Sequence, residues 1–144
     1  KTLFNINKIS GDFKEVYIFE GPLNAFFTKN GVAVAGITQR SNTNFTARQQ
    51  QQVDTVLKWF TRVWILDSQW KDYTALSKSE VLLRNNEKVF IWPEKFGTQF
   101  KDFNDICMAC KINEIKHEFI QRNTFEKLEG IFKLSEIKRA LALD

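Results

Sequence analysis

The stretch Val16-Tyr17-Ile18-Phe19-Glu20-Gly21-Pro22-Leu23-Asn24-Ala25 decides how the rest of the chain is read. Its first four residues are all β-branched or aromatic and show no polar alternation. That is the pattern of a strand buried on both faces. An acid and a glycine follow at once, and a short helical candidate, Leu23 to Lys29, runs to Asn30-Gly31, a typical helix stop.

Working outward, three more runs share that character: Val32-Ala33-Val34-Ala35, Val63-Trp64-Ile65-Leu66 and Val89-Phe90-Ile91-Trp92. Between the second and third runs, Val53, Val56, Leu57 and Phe60 repeat at the spacing of one helical stripe. Between the third and fourth, Ala75, Leu76, Leu82 and Leu83 do the same. Strands alternating with helices predict an α/β fold: a Rossmann-like, four-stranded parallel sheet with helices on both faces. In such sheets the working residues collect beyond the carboxyl ends of the strands. Polar groups stand there: Glu20-Gly21 after the first strand, Asp67-Ser68-Gln69 after the third, and Lys101-Asp102-Phe103-Asn104-Asp105 closing the loop after the fourth.

Before this core, Leu3 to Asn7 alternates and predicts an added edge strand; after it, Asn113 to Arg122 and Ser135 to Leu143 predict helices. The expected organisation is an edge segment over 1–13, a core over 14–110 and a helical extension over 111–144. Gln49 to Gln52 read as the exposed side of a helix, and no internal repeat is present. A length of 144 residues suits one domain with one sizeable core. With 43% hydrophobic and 26% charged residues, the composition is that of an ordinary soluble domain and excludes a disordered chain. No apolar run approaches the roughly 20 residues that span a bilayer, and Lys1 to Ser10 carries no signal-peptide pattern. The chain begins without Met, as a fragment of a longer polypeptide would. Cys107 and Cys110 are too few and too close to staple this fold, which points to a reducing, intracellular compartment. A net charge of +4 and a pI near 9.1 favour polyanionic partners.

The segment from Val16 to Ala25 resembles the first signature of the Toprim fold, shared by primases, topoisomerases and some nucleases: a buried strand, then Glu-Gly, then a helix. Ile65-Leu66-Asp67-Ser68-Gln69 answers the second signature, a strand ending in Asp-x-Asp. Phe90 to Pro93 through Lys101 to Asp105 is similar to the Lys-Asp-x-Asn-Asp element of phage primases of the T-even type, as is the tail Asn123-Thr124-Phe125. The resemblance covers roughly Glu15 to Ala109. It departs at two positions: Gln69 replaces the second acid, and Asn24 stands where many relatives carry Asp. Three outcomes stay open: a metal held by fewer carboxylates, a substitute acid with Asp72 nearest, or a weakened or inactive site.

The resemblance implies metal-dependent RNA primer synthesis on single-stranded DNA, from nucleoside triphosphates and with Mg²⁺ or Mn²⁺. It implies a replicative helicase and other replisome proteins as partners, no membrane, and the cytoplasm of an infected bacterial host. Glu20 would be a ligand or proton-transfer group and Asp67 a principal metal ligand, with Gln69, Asp72, Asp102 and Asp105 completing the candidate metal set. Two carboxylates about 4 Å apart repel by roughly 4 kcal/mol at an effective dielectric of 20, so a cluster of such acids calls for a cation. Gly21 would let the backbone approach phosphate without a Cβ in the way. Lys71 and Lys101 are candidates to meet phosphate, Arg40 and Arg48 to meet the template backbone, and Asn104 to help bind nucleotide.

Plainer readings stand beside these. Asp67, Asp72 and Asp102 are each suited to cap a helix. One C-x-x-C and the lone His117 fall short of the four ligands of structural zinc, so Cys107 and Cys110 read as small residues on a helix's buried face. His117, among charged residues, reads as exposed. Trp64 and Trp92 read as core, leaving Trp70 as the candidate to stack on a base. Two rival functions remain: a Toprim nuclease or topoisomerase that cleaves phosphodiesters, and a catalytically degenerate nucleic-acid-binding module. A topoisomerase needs a nucleophilic tyrosine; Tyr17 lies in a strand and Tyr73 has nothing to support it.

Overall fold

Each of the four apolar runs forms a strand of one sheet. The computed structural model describes residues 2–34 and 45–142. Within them β1 (Glu15–Phe19), β2 (Gly31–Ala33), β3 (Thr61–Ile65) and β4 (Lys88–Phe90) run parallel. A fifth strand, β5 (Thr124–Phe125), pairs antiparallel with β4 and gives the order β2-β1-β3-β4-β5. The sequence pattern did not announce β5: two residues are too short for any periodicity to register.

The helices are α1 (Pro22–Ala25), α2 (Ala47–Thr55), α3 (Tyr73–Arg84), α4 (Glu94–Gly97), α5 (Phe103–Cys110), α6 (His117–Arg122) and α7 (Lys127–Ala140). Successive strand side chains point to opposite faces, and the core divides accordingly. Val16, Ile18, Trp64 and Val89 pack with Val53 of α2, Leu76 and Leu83 of α3, and Leu134 and Ile137 of α7. Tyr17, Phe19, Val63, Ile65 and Phe90 pack with Ala25 of α1, Phe103 and Ile106 of α5, and Ile120 of α6. Helices therefore cover both faces of a mostly parallel sheet, a Rossmann-like α/β arrangement, and Trp64 and Trp92 are core residues. No helix of the described residues is long and apolar enough to cross a membrane.

Several local expectations are corrected. Only Phe4 of the supposed edge strand pairs, bridging Ala33 antiparallel; Asn5 then turns at φ 65° into a short 3₁₀ turn, Ile6–Lys8. α1 ends at Ala25 rather than Lys29, although Asn30 does make the turn into β2 with φ 59°. α2 starts at a capping box between Thr46 and Gln49 and stops at Thr55, before Val56 and Phe60 of the apolar stripe. The glutamines are not all on its exposed side. Gln49 is buried and its Nε2 donates to the Val34 carbonyl at 2.7 Å, while Gln52 Oε1 accepts the Leu3 N–H at 2.8 Å. α6 begins four residues later than Asn113, and α7 begins eight residues before Ser135 and ends at Ala140. Cys107 is buried as expected, but Cys110 is exposed. Ala35 and Leu143 lie outside the described residues.

Candidate active site

The register of β1 and β3 positions the first two acids. Phe19 pairs with Ile65, so the residues that leave these adjacent strands, Glu20 and then Leu66-Asp67, emerge side by side at the carboxyl edge. A third acid arrives from the far end of the β4–α5 connection, where the Ser68 N–H donates to the Lys101 carbonyl at 2.8 Å. Glu20, Gly21, Asn24, Asp67 and Asp102 thereby line one cavity of about 20 Å³, floored by Phe19, Ile65, Leu66 and Phe103. That volume admits a single water-sized body.

Asp67 is the strained member of the group. Burial pushes its carboxyl up to about 6, and the negative charges of Asp102, Glu20 and Asp72 push the same way. Lys101, with Nζ at 3.8 Å from Oδ2, opposes them without cancelling them. Glu20 has a cation of its own: Lys78 of α3 places Nζ 3.3 and 3.4 Å from its two carboxylate oxygens. The sequence reading missed Lys78, because a lysine on the polar side of an amphipathic helix carries no local sign of a partner on another strand.

The remaining candidates divide between the cavity and the scaffold behind it. Asp72 caps α3, accepting the Thr74 N–H at 2.9 Å, so the plainer reading describes what its carboxylate does here. Asp102 caps α5 through the Asp105 N–H at 2.9 Å and still faces the cavity. Asp105 is exposed, accepts the Lys101 N–H at 3.1 Å and does not line the cavity. Gln69 is turned into the core. Its Nε2 donates to Ser79 Oγ and the Phe90 carbonyl, and its Oε1 accepts the Trp92 N–H at 3.1 Å. With both amide atoms engaged and the side chain buried, it stitches the β3–α3 loop to β4 and stands apart from the acids.

Trp70 is half-buried, and its Nε1 donates to the Trp92 carbonyl at 2.7 Å, which holds the ring in the wall of the fold. The Asn104 N–H donates to Asn24 Oδ1 at 2.9 Å, so Asn24 ties α1 to α5. Lys71 is exposed in the β3–α3 loop. Arg48 is exposed on α2, donating to Gln51 Oε1, and is not among the residues lining the acidic cavity. Arg40 lies outside the described residues. At Gly21, φ is −107° and an added Cβ would meet nothing within 4 Å, so neither backbone nor packing demands glycine there.

Among the described residues no three His, Cys, Asp or Glu side chains form a ready metal cage. What the cavity offers is a smaller donor set of hard carboxylate oxygens. Magnesium commonly takes only one or two protein carboxylates and completes its shell with water and phosphate, so Glu20 and Asp67, with Asp102 beside them, fit such an ion. A cation would also relieve the repulsion that raises Asp67. His117 is corrected: its side chain is 24% exposed, it is hydrogen-bonded through Nδ1 to the Tyr17 hydroxyl, and its Nε2 lies 3.4 Å from Glu15. These partners close α6 onto the amino end of β1, far from any zinc role.

The chain is similar to the DNA primase of Enterobacteria phage T4. The two are 28% identical over 123 residues, which is 85% of this chain and 32% of that protein. The chain thus spans about a third of the length of the relative it matches. No protein-family profile matches it. The similarity supports a relationship to phage DNA primases and through them to nucleotidyl-transferring enzymes.

Proposed function

We propose that this chain is the Toprim-type catalytic domain of a phage DNA primase. In this reading it synthesises RNA primers on single-stranded DNA from nucleoside triphosphates, in the cytoplasm of the infected host and beside a replicative helicase and other replisome proteins. The observation that carries the proposal is the convergence of Glu20, Asp67 and Asp102 on one cavity at the carboxyl edge of a parallel sheet. Capping α5 accounts for Asp102 alone; the similarity to a primase supplies a reason for the three acids to share one cavity.

Glu20 and Asp67 would hold Mg²⁺ or Mn²⁺, with Asp102 adjoining. When bound, such an ion supplies charge neutralisation at phosphate and lowers the pKa of a coordinated hydroxyl. The chain's own residues do the rest. Glu20, beside Asp67 at the same edge, is the group placed to hold or move a proton. Gly21 leaves room beside the acids for a phosphate to approach the backbone. Lys101, and Lys71 in the neighbouring loop, provide positive charge for a polyanionic substrate.

The test is primer synthesis by the full-length protein, with Asp67→Asn beside the wild type and thermal melts with and without Mg²⁺. A ligand that binds only the folded state at a hundredfold excess over Kd stabilises it by about 2.7 kcal/mol. The expected result is a metal-dependent rise in melting temperature and primer synthesis, both largely lost in Asp67→Asn. Primer synthesis that survives Asp67→Asn would overturn the assignment. A second reading has one observation in its favour: with no ready metal cage among the described residues, and with Gln69 committed to the core, the chain would suit a degenerate nucleic-acid-binding module. Binding of single-stranded DNA with no response to metal would select that reading.

A further inference from the structure

Glu20 faces two cavities. Besides the acidic one, it lines an open cavity of about 180 Å³ between β3 and α3, walled by Trp64, Leu66, Val81 and Leu82. Lys78 stands at the seam, lining this second cavity while its Nζ holds both Glu20 oxygens. We infer that the second cavity receives the base of a nucleoside triphosphate and that Lys78 meets its phosphates. The inference rests on the nucleotidyl-transfer reading of the acidic cavity and extends it to where the incoming nucleotide lies.

Three observations lead there. First, the size: pockets that enclose a whole drug-sized molecule run to about 300–1,000 Å³, so 180 Å³ takes one ring system of a ligand whose remainder lies outside. Second, the walls are apolar side chains that accept a flat, uncharged face. Third, the remainder of the ligand must run past Lys78, the one cation among the described lining residues, towards Glu20 and Leu66, which belong to both cavities. A triphosphate is the group whose charge suits that path, passing a lysine and ending at acids that call for a metal. The Lys78–Glu20 pair is partly solvent-exposed, at 36% and 42%, and such pairs are individually weak. Lys78 can therefore exchange a carboxylate for a phosphate at little cost. Among the described residues that line the cavity, Ser77 is the only polar side chain besides Glu20 and Lys78, and these offer little with which to tell one base from another. Discrimination would fall to pairing with the template.

The experiment measures binding of ATP, GTP, CTP, UTP and inorganic tripolyphosphate to the full-length protein with Mg²⁺, by calorimetry. The nucleotides should bind at least tenfold more tightly than tripolyphosphate and within a few-fold of one another. Val81 is 57% exposed on the lip of the cavity, so Val81→Trp fills the space without entering the core. It should weaken nucleotide binding at least tenfold and leave tripolyphosphate unchanged. Lys78→Met should weaken both ligands, and Lys78→Arg should restore them. If wild-type protein binds tripolyphosphate as tightly as ATP, or if Val81→Trp folds and binds ATP normally, the base lies elsewhere and only this inference fails. If no triphosphate of any kind binds with metal, the nucleotidyl-transfer reading fails and the inference goes with it. The comparison of ATP with tripolyphosphate needs no variant, so a poorly folded Val81→Trp leaves the test intact.

Discussion

The two ends of the sheet differ in how closely they crowd their acids. At the amino end, Arg62 Nη2 lies 2.9 and 3.1 Å from the two Glu87 oxygens, and Trp64 Nε1 donates to the same carboxylate at 3.2 Å. Glu15 there meets His117 and accepts from Gln121 Nε2 at 3.1 Å, and Lys88 faces Glu126 at 3.7 Å. Each of these acids has a cation or a hydrogen-bond donor to answer it, as Glu20, Asp67 and Asp102 also have at the other end; what differs is the crowding. At the carboxyl end, three acids share one small cavity, and their mutual repulsion adds to burial in raising Asp67. A chain selected for stability alone would have made both ends like the first. The difference marks the carboxyl end as the place where local favourability has been given up, which is where function is expected to reside.

The contrast is broken most sharply at Glu20. Glu20→Gln keeps the shape and removes one charge from the crowded end, so the protein should melt no earlier than wild type. Primer synthesis by the full-length protein should fall by about 10²–10⁴-fold. Normal activity with an unchanged melt would remove Glu20 from the mechanism. Next in size is Gln69→Asp, which on paper completes the Asp-x-Asp pattern that this loop resembles. Gln69 is buried among Ser79, Phe90 and Trp92, so the new carboxylate would lie unpaired in the core and strand the Phe90 carbonyl. Equilibrium unfolding should show a loss of roughly 3 kcal/mol or more, without tighter metal binding. A stable variant that binds metal better would show that this loop readily turns outward.

The pH dependence sharpens the comparison further. Asp67 holds its proton in the fold up to about pH 6, whereas its ordinary value is 3.8. Over that window the folded state binds the proton the unfolded chain has released. This contribution to stability therefore falls as pH rises through the window and levels off above it. Allowing for the solvent at a side chain that is 33% exposed, the effect is on the order of 1 kcal/mol. Asp67→Asn should gain on the wild type at pH 7 and lose that advantage near pH 4, as read by denaturant unfolding at both. A gap that ignores pH would mean Asp67 is not strained. The smallest effect belongs to Gly21→Ala: its Cβ enters open space, so stability should stay within about 0.5 kcal/mol while primer synthesis declines. A marked loss of stability would show that Gly21 serves the turn instead.

How much of this was legible in the sequence depends on the range of the interaction. The four parallel strands could be read because strands buried on both faces are continuous apolar runs, and residue order alone then put Glu20 and Asp67 at the working edge. What escaped reading was settled by partners distant in the chain. Gln49 and Gln52 face inward because the Val34 carbonyl and the Leu3 N–H need them. His117 finds Tyr17 and Glu15, and Gln69 finds β4. α7 was placed too late because Gly130 interrupts the pattern and Leu128 and Phe132 are exposed. Yet Gly130 belongs to the helix, packed so closely on Leu83 that a Cβ would lie 2.5 Å from its Cδ2.

The pairing of Phe19 with Ile65 has a consequence in time as well as in space. These residues are far apart in sequence, with α1, β2 and α2 between them, so the entropy of closing that stretch is spent before their contact repays it. Glu20 and Asp67 therefore meet only once the sheet has found its register, when most of the barrier to folding lies behind the chain. The expectation is that their repulsion is almost absent from the transition state. Relieving it with Asp67→Asn should slow unfolding and leave refolding nearly unchanged. A chevron plot in which the folding arm moves instead would mean that the acids meet early. With the folding arm unmoved, the crowded edge acts as a spring loaded at the last step of folding, which shortens the lifetime of the native state without obstructing the route to it.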